Sequence, residues 1–424
     1  MALNKAAVSE LRTEFPALQK RVDGRPLIFL DGPGGTQVHG SVIEAMGNYL
    51  VEANSNAHGS FLYSQRTDEA VMAARQALAD LLHASRPEEI VFGPNMTSLT
   101  FNISRAIGRT LSLGDEIVVT RLDHDANIAP WLALQERGAT VRHVDFDPAD
   151  CTLDMAGLEA AITPKTKVVA LGYASNAVGT INDVARAVDL AHQVDAWVYV
   201  DAVHYAPHGP IDVQALGCDF LVCSVYKFFG PHLGALYGRY ELLEGLPAYK
   251  VRPAGDAPPD KFETGTQSFE AISGATAAVD YLASVGRHHG DEGAGQFSDL
   301  SERRRELMLG MEAVRAYERA LCERLVSGLQ DIPGLKIYGI TDPGRFDQRV
   351  PTVSFTLGGL RPREISQRLS QANIFAWAGN FYALAVTERL GLEEQGGLLR
   401  VGLAHYNTAE DVDTLLEVLA DMPR

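Results

Sequence analysis

From residue 88 the sequence alternates between short runs of β-forming residues and stretches of helical periodicity, and this alternation limits the fold more than any other feature. The strand candidates are EEIVFG, DEIVVT, TVRHVDF, KVVALGY, WVYVD, DFLVCS and GALYG. Strands separated mostly by helical stretches imply a mainly parallel sheet with helices on both faces. GALYG follows its predecessor after a short connection, so it can run antiparallel. In a parallel sheet, ligands sit just beyond the carboxyl ends of the strands. Two of those ends carry polar groups: WVYVD stops at Asp201, and DFLVCS stops at Ser224, with Tyr226 and Lys227 close behind. A carboxylate and an amine on neighbouring strand ends suit the chemistry of pyridoxal 5′-phosphate (PLP). The amine can bond the cofactor's aldehyde, and the acid can keep its pyridine nitrogen protonated, so that the ring accepts electrons. Spacing alone equally allows a surface lysine and a helix-capping aspartate.

The 424 residues leave room for one large and one smaller domain, and 46% hydrophobic with 21% charged residues is ordinary for a soluble globular chain. A formal charge of −17 argues against nucleic acid or an anionic membrane as partner. No apolar run approaches the ~20 residues of a membrane span. The N-terminus lacks the basic segment and apolar core of a signal peptide. The four cysteines, Cys151, Cys218, Cys223 and Cys322, show neither metal-ligand spacing nor a disulfide framework, so no metal is expected. A reducing cytoplasm fits this pattern.

Several local features stand beside the sheet. VSELRTEFPAL reads as a short helix, and helices are expected at 41–52 and 65–84. Asp31 opens a glycine-rich turn, DGPGGT. After GPNMTS a helix should begin at about Thr97, where free N–H groups suit a phosphate; Thr97 or Ser98 as a simple cap is the plainer reading. The ERRRE cluster at 302–306 reads as a solvated face. Downstream, KIYGI, TVSFTL, a helix from about Pro362, NIFAWAG, LLRVGL and a closing amphipathic helix describe a small α+β unit.

The segments DAVH, IDVQALGCDF and SVYKFFGPHLGALYG resemble the lysine region of the class V aminotransferases, and within them the cysteine desulfurases of the SufS/CsdA type. That family pattern runs strand–DGAQ, then IDV-x-x-L-x-x-D-F, then SGHK-x-x-GP-x-G-x-G. The likeness extends from FLDGPGG to LLRVGLAHYNTAEDVD, essentially the whole chain. It implies an α/β protein of PLP-dependent fold type I (aspartate aminotransferase-like), with a seven-stranded mainly parallel sheet and a smaller C-terminal α+β domain. The implied division is an N-terminal arm at 1–30 packing on the small domain, a large PLP-binding domain at 31–284 and a small domain at 285–424. A homodimer with active sites at its interface is also implied.

Residue by residue, the resemblance makes Lys227 the cofactor lysine and Asp201 the partner of the pyridine nitrogen. LDHDANIAPW is similar to EHHANIVPW, which sets His124 against the ring as a catalytic group. His204 stands for a glutamine near the ring oxygen, and Asn176 supports both that oxygen and the substrate carboxylate. Met96, through its N–H, Thr97, Ser224 and Tyr226 fall at phosphate-binding positions. Thr266, in KFETGTQSFEAISG, reaches the phosphate of the other subunit, and Arg400 grips the substrate carboxylate. The pattern breaks at R-x-G-H-H-C, where this chain reads FAWAGNFYALAV (375–386): Gly379 aligns, but Tyr382 takes the place of the catalytic cysteine. A tyrosine cannot carry a persulfide. The expected function is therefore C–S cleavage of cysteine or an S-substituted cysteine without a persulfide-forming cysteine. The alternatives are an aminotransferase or epimerase on the same scaffold, or a non-catalytic PLP-binding partner in sulfur trafficking.

Overall fold

The computed structural model describes residues 3–290 and 297–422. The seven strand candidates form one sheet: β1 (Ile90–Gly93), β2 (Glu116–Thr120), β3 (Thr140–Val144), β4 (Thr166–Gly172), β5 (Trp197–Asp201), β6 (Phe220–Ser224) and β7 (Gly234–Gly238). Their order is β1-β7-β6-β5-β4-β2-β3. Strands β6, β5, β4, β2 and β3 pair in parallel. Strand β7 is antiparallel to both its neighbours. Residues 225–233 are too few for the crossover helix that a parallel partner needs, so the chain turns back directly. Both faces of the sheet are covered. Val198 and Val200 belong to one apolar cluster, and Tyr199 between them belongs to another on the opposite face.

A second, antiparallel sheet has the order β8-β9-β11-β10, built from β8 (Leu335–Tyr338), β9 (Thr352–Leu357), β10 (Trp377–Gly379) and β11 (Leu398–Gly402). The helices used below are α1 (Lys5–Thr13), α2 (Gly40–Glu52), α3 (Leu62–Leu82), α4 (Met96–Gly108), α5 (Phe269–His289), α6 (Glu302–Gln330), α7 (Pro362–Gln371) and α8 (Ala409–Ala420). Helix α5 packs on α2, α3 and α6, while α6, α7 and α8 cover the second sheet. Val353, Phe355, Leu369, Leu399, Val401 and Leu415 give that sheet an apolar core of its own.

The N-terminal segment joins the two halves at the point that matters for the site. Ile28–Phe29 pairs in parallel with Ile374–Phe375, and Asp31 bridges to Gly402 at the end of β11. The glycine-rich turn is thereby laid between the two sheets.

The ERRRE cluster is not a solvated face throughout. Arg304 is 2% exposed, and its guanidinium donates to the Leu81 and Ile211 carbonyls at 2.7 Å each. Glu306 is also buried and pairs with Arg287 at 2.7 Å. A run of charges carries no mark of which member faces the open carbonyls at the end of a neighbouring helix, here α3. Arg304→Ala should therefore cost about 2–4 kcal/mol by leaving buried carbonyls without donors. Arg319→Ala, at an exposed i,i+4 pair, should stay within about 0.5 kcal/mol. Urea unfolding of the two variants against the parent chain measures both.

Candidate active site

Residues at or just past the ends of β1, β2, β4, β5 and β6 line one cavity of about 730 Å³. They are Met96 and Thr97; Asp123 and His124; Gly172 and Asn176; Asp201 and His204; Tyr226 and Lys227. Pro33 and Gly34 of the glycine-rich turn, the stretch 377–382 and Arg400 of β11 close the other side. Of the sequence-predicted residues, Ser224 is fully buried and does not line the cavity, and Thr266 is not brought here either. It lines a separate cavity of about 560 Å³ with Ser98, Asn102 and His232.

Lys227 is buried, and its amine donates to the Pro33 carbonyl. Burial pushes that amine down to about 7; the Arg400 charge pushes the same way, while Asp201 and Asp31 pull back. Asp201 is buried at the end of β5 and accepts from the Val203 N–H at 2.9 Å. Burial raises its carboxyl to about 6 against the pull of that N–H and of Lys227. Burial also lowers the Arg400 guanidinium to about 9, opposed by Asp31 and Tyr226. One Arg400 nitrogen donates to the Asn176 carbonyl at 2.8 Å, and the guanidinium lies 4.2 Å from the centre of the Phe381 ring.

The two histidines are held neutral. His124 Nδ1 accepts from the Ala126 N–H at 3.0 Å, and its ring stacks on Tyr382 at 5.5 Å. Burial, then Lys227 and Arg400, push His124 down to about 4. His204 is buried, with Nε2 2.9 Å from the Thr352 hydroxyl, and burial drives it well below the usual histidine range. Asn176 donates from Nδ2 to the Phe381 carbonyl at 2.9 Å.

Helix α4 begins with Asn95 as its cap: Oδ1 accepts from the Ser98 N–H at 2.9 Å, so neither Thr97 nor Ser98 has that task. The Met96 N–H points to the Ser224 hydroxyl at 3.3 Å. Three expected phosphate residues, Met96, Thr97 and Ser224, thus meet at the N-terminus of a helix, which favours an anion. Tyr226 lines the same cavity, its ring stacked on His232 at 4.9 Å.

Asp123 carries no expectation from the sequence, whereas the resemblance sets the turn opened by Asp31 at the site entrance and takes the substrate side-chain pocket from loops that include 377–386, where Trp377 and Phe381 lie. Asp123 is a buried carboxylate that accepts from the Gly172 N–H at 2.6 Å and from Asn127 Nδ2 at 3.1 Å. Burial, with Asp201 nearby, raises its carboxyl well above the usual range. Asp31 has one carboxylate oxygen shut away from solvent without a partner and acts on Arg400 and Lys227 by charge. Trp377 and Phe381 supply aromatic walls. Asp31 did offer a signal, since it ends the apolar run PLIFLD just as Asp201 ends WVYVD. All four cysteines are buried and none lines the cavity. Burial pushes the Cys151 and Cys223 thiols up to about 12.

The residues fit PLP. Asn176 Oδ1 and Arg400 Nε are buried at the cavity without partners, which is costly unless a bound group completes them. A buried carboxylate, Asp201, matches a protonated ring nitrogen, an amine matches an aldehyde, and the start of α4 matches a phosphate.

Comparison with known proteins gives the same direction. The family model for aminotransferase class V matches residues 28–304 and 300–415. A probable cysteine desulfurase of Mycolicibacterium paratuberculosis is 34% identical over 97% of this chain; the chain spans 58% of that relative's length. An aminotransferase-like protein of Gibberella zeae is 33% identical over 99% of each chain. The apo structure of a cysteine desulfurase from Thermococcus onnurineus superposes with a TM-score of 0.84 at 26% identity, covering 97% of both chains.

The lowered Lys227 amine sets a pH dependence. A free amine adds to an aldehyde only when unprotonated, so the rate at which the cofactor-free protein captures PLP should rise with pH through about 7. An ordinary lysine would show that rise near 10.4. Stopped-flow absorbance across pH 6–10 reads the midpoint, and Lys227→Ala should abolish the phase.

Proposed function

The chain belongs to the aminotransferase class-V family and is a PLP-dependent enzyme of the cysteine desulfurase-like kind, and on that premise we propose that it cleaves the C–S bond of cysteine or an S-substituted cysteine without a cysteine of its own in the site. The observation that carries this reading is the composition of the cavity wall. Tyr382 lines it at the position that the resemblance gives to the desulfurase cysteine, and none of the four buried cysteines is in the lining. Sulfur that leaves the substrate has no protein thiol to receive it and departs as the thiol itself.

When bound, the cofactor supplies an electron sink for charge developing at Cα. The rest is the work of the side chains. Arg400 takes the substrate carboxylate with parallel N–H donors, and Asn176 adds a further polar contact. Asp201, ionised beside a cation, keeps the pyridine nitrogen protonated. Met96 N–H, Thr97, Ser224 and Tyr226 would hold the phosphate, and Thr266 would join them from a second copy of the chain. His204 would stand near the ring oxygen, and His124, held neutral, would offer a flat face to the ring without adding a competing charge. Lys227 takes the proton from Cα, which its near-neutral amine can do without first shedding a proton to strong base. The same proton is then available for the departing sulfur, so that thiol, pyruvate and ammonia account for the substrate plus one water.

A second reading, transamination, has support in the aminotransferase-like relative from Gibberella zeae. One experiment separates the two. S-methylcysteine is added to the holoenzyme while the visible band is followed, and the products are quantified. The lyase reading expects the band to recover, with methanethiol and pyruvate in equal amounts. Lasting conversion to the pyridoxamine form, with a keto acid that retains its sulfur, would replace it by the aminotransferase.

A further inference from the structure

One short stretch, 377–382, backs two polar groups of the cavity with aromatic rings and sets a third ring against the glycine-rich turn. The Lys227 amine touches Pro33, and the next residue, Gly34, lies against Trp377. A Cβ on Gly34 would come within 2.3 Å of the indole nitrogen, so the ring takes the space that a side chain would need there. The Arg400 guanidinium rests on Phe381 at 4.2 Å, and His124 stacks on Tyr382 at 5.5 Å. Phe101 adds another ring to the lining.

This stretch is held in place. Phe381 and Tyr382 both have left-handed backbones, with φ of 58° and 57°, a conformation that costs roughly 1–2 kcal/mol for each L-residue with a side chain. Three hydrogen bonds at these residues offset it, and a fourth holds Asn380. Asp125 N–H donates to the Tyr382 carbonyl at 2.7 Å, and Asn176 Nδ2 to the Phe381 carbonyl at 2.9 Å. Tyr382 N–H donates to Asn380 Oδ1 at 3.2 Å, and Asn380 Nδ2 to Glu393 at 3.0 Å. The backbone that carries Phe381 and Tyr382 is therefore fixed. Trp377 is 53% and Tyr382 74% exposed, and large apolar side chains left open at the rim of a cavity mark a ligand surface.

The charges around the cavity are already assigned. Lys227 and Arg400 meet the amino and carboxylate ends, while Asp123, Asp125 and Asp201 are the remaining charged lining residues. Where the family pattern R-x-G-H-H-C has an arginine and two histidines, this chain has Trp377, Asn380 and Phe381. The side chain of a bound amino acid meets rings on that wall and no cation.

We propose that the amino acid bound here carries a bulky apolar or aromatic group, seated against Trp377, Phe381 and Tyr382. Within the lyase reading, on which this narrower choice rests, the substrate is an S-aryl- or S-alkyl-substituted cysteine rather than cysteine itself. The test pairs small and large ligands on the holoenzyme by isothermal titration. Propionate and 3-phenylpropionate have no amine and cannot react, so they report the wall alone; S-methylcysteine and S-benzylcysteine add the chemistry. The phenyl member of each pair should bind roughly 10-fold tighter or more. Trp377→Ala and Tyr382→Ala should each shrink that ratio toward one. Equal or weaker binding of the phenyl members by the parent enzyme overturns the proposal, as does a ratio unchanged in both variants. If S-benzylcysteine binds tighter but keeps its sulfur in the keto-acid product, the side-chain class stands and the lyase reading falls. If S-methylcysteine is cleaved and the phenyl ligands gain nothing, the lyase reading stands and this proposal falls.

Discussion

A lysine amine shut into the floor of the cavity is the constraint to which the surrounding structure answers. Burying a charged ammonium without partners is expensive, and a protein lowers that cost by partial neutralisation or by paired carboxylates. Around Lys227 the first occurs, and two carboxylates act on it by charge without a direct ion pair among the described residues. Its amine is brought down to about 7, with Asp201 and Asp31 supplying opposite charge and Arg400 working against them. The Pro33 carbonyl gives the amine a hydrogen-bond acceptor. That carbonyl is in position because Ile28–Phe29 pairs with Ile374–Phe375 and Asp31 bridges to Gly402. The reactive amine thus depends on contacts spread from residue 28 to residue 402.

The same wiring explains why the two sheets must be read together. The parallel sheet delivers the groups at its strand ends, and the antiparallel one delivers Arg400 and the aromatic stretch. His204 joins them directly through Thr352 at the start of β9. The stretch after β10 is tied back to the first sheet by Asn176 and by the Asp125 N–H. In the desulfurase pattern this position carries a cysteine on a mobile loop. Here two consecutive left-handed residues pinned by three hydrogen bonds make a held wall, which suits shape recognition more than the delivery of a nucleophile.

Much of this was legible in the sequence because the signals were local and periodic. Each strand candidate became a strand, since buried parallel strands are written as short β-forming runs. The antiparallel direction of GALYG followed from the length of its connection. Lys227, Asp201, His124, His204, Asn176 and Arg400 were found because they terminate such runs or sit in long shared motifs, and the structure gathers them in one cavity. What escaped depends on packing. Arg304 lies inside a charged run yet points at the carbonyls of another helix, which charge patterning does not encode. Asp123 beside His124 becomes part of the site only when distant segments close on each other, and the sequence set the loop of Trp377 at the pocket without its contact to Gly34. Thr266 lies outside the cavity in the single chain, and no property of one chain's sequence sets the distance to a second.

The central claim is that sulfur leaves this site without passing through a cysteine of the protein. It is tested most directly by intact-protein and peptide mass spectrometry after turnover with cysteine and with S-substituted cysteines, carried out under non-reducing conditions. The account predicts that Cys151, Cys218, Cys223 and Cys322 all remain unmodified while thiol or sulfide accumulates in solution. A gain of one sulfur atom on any of the four, formed at the rate of turnover and lost when that cysteine is replaced by serine, would contradict it.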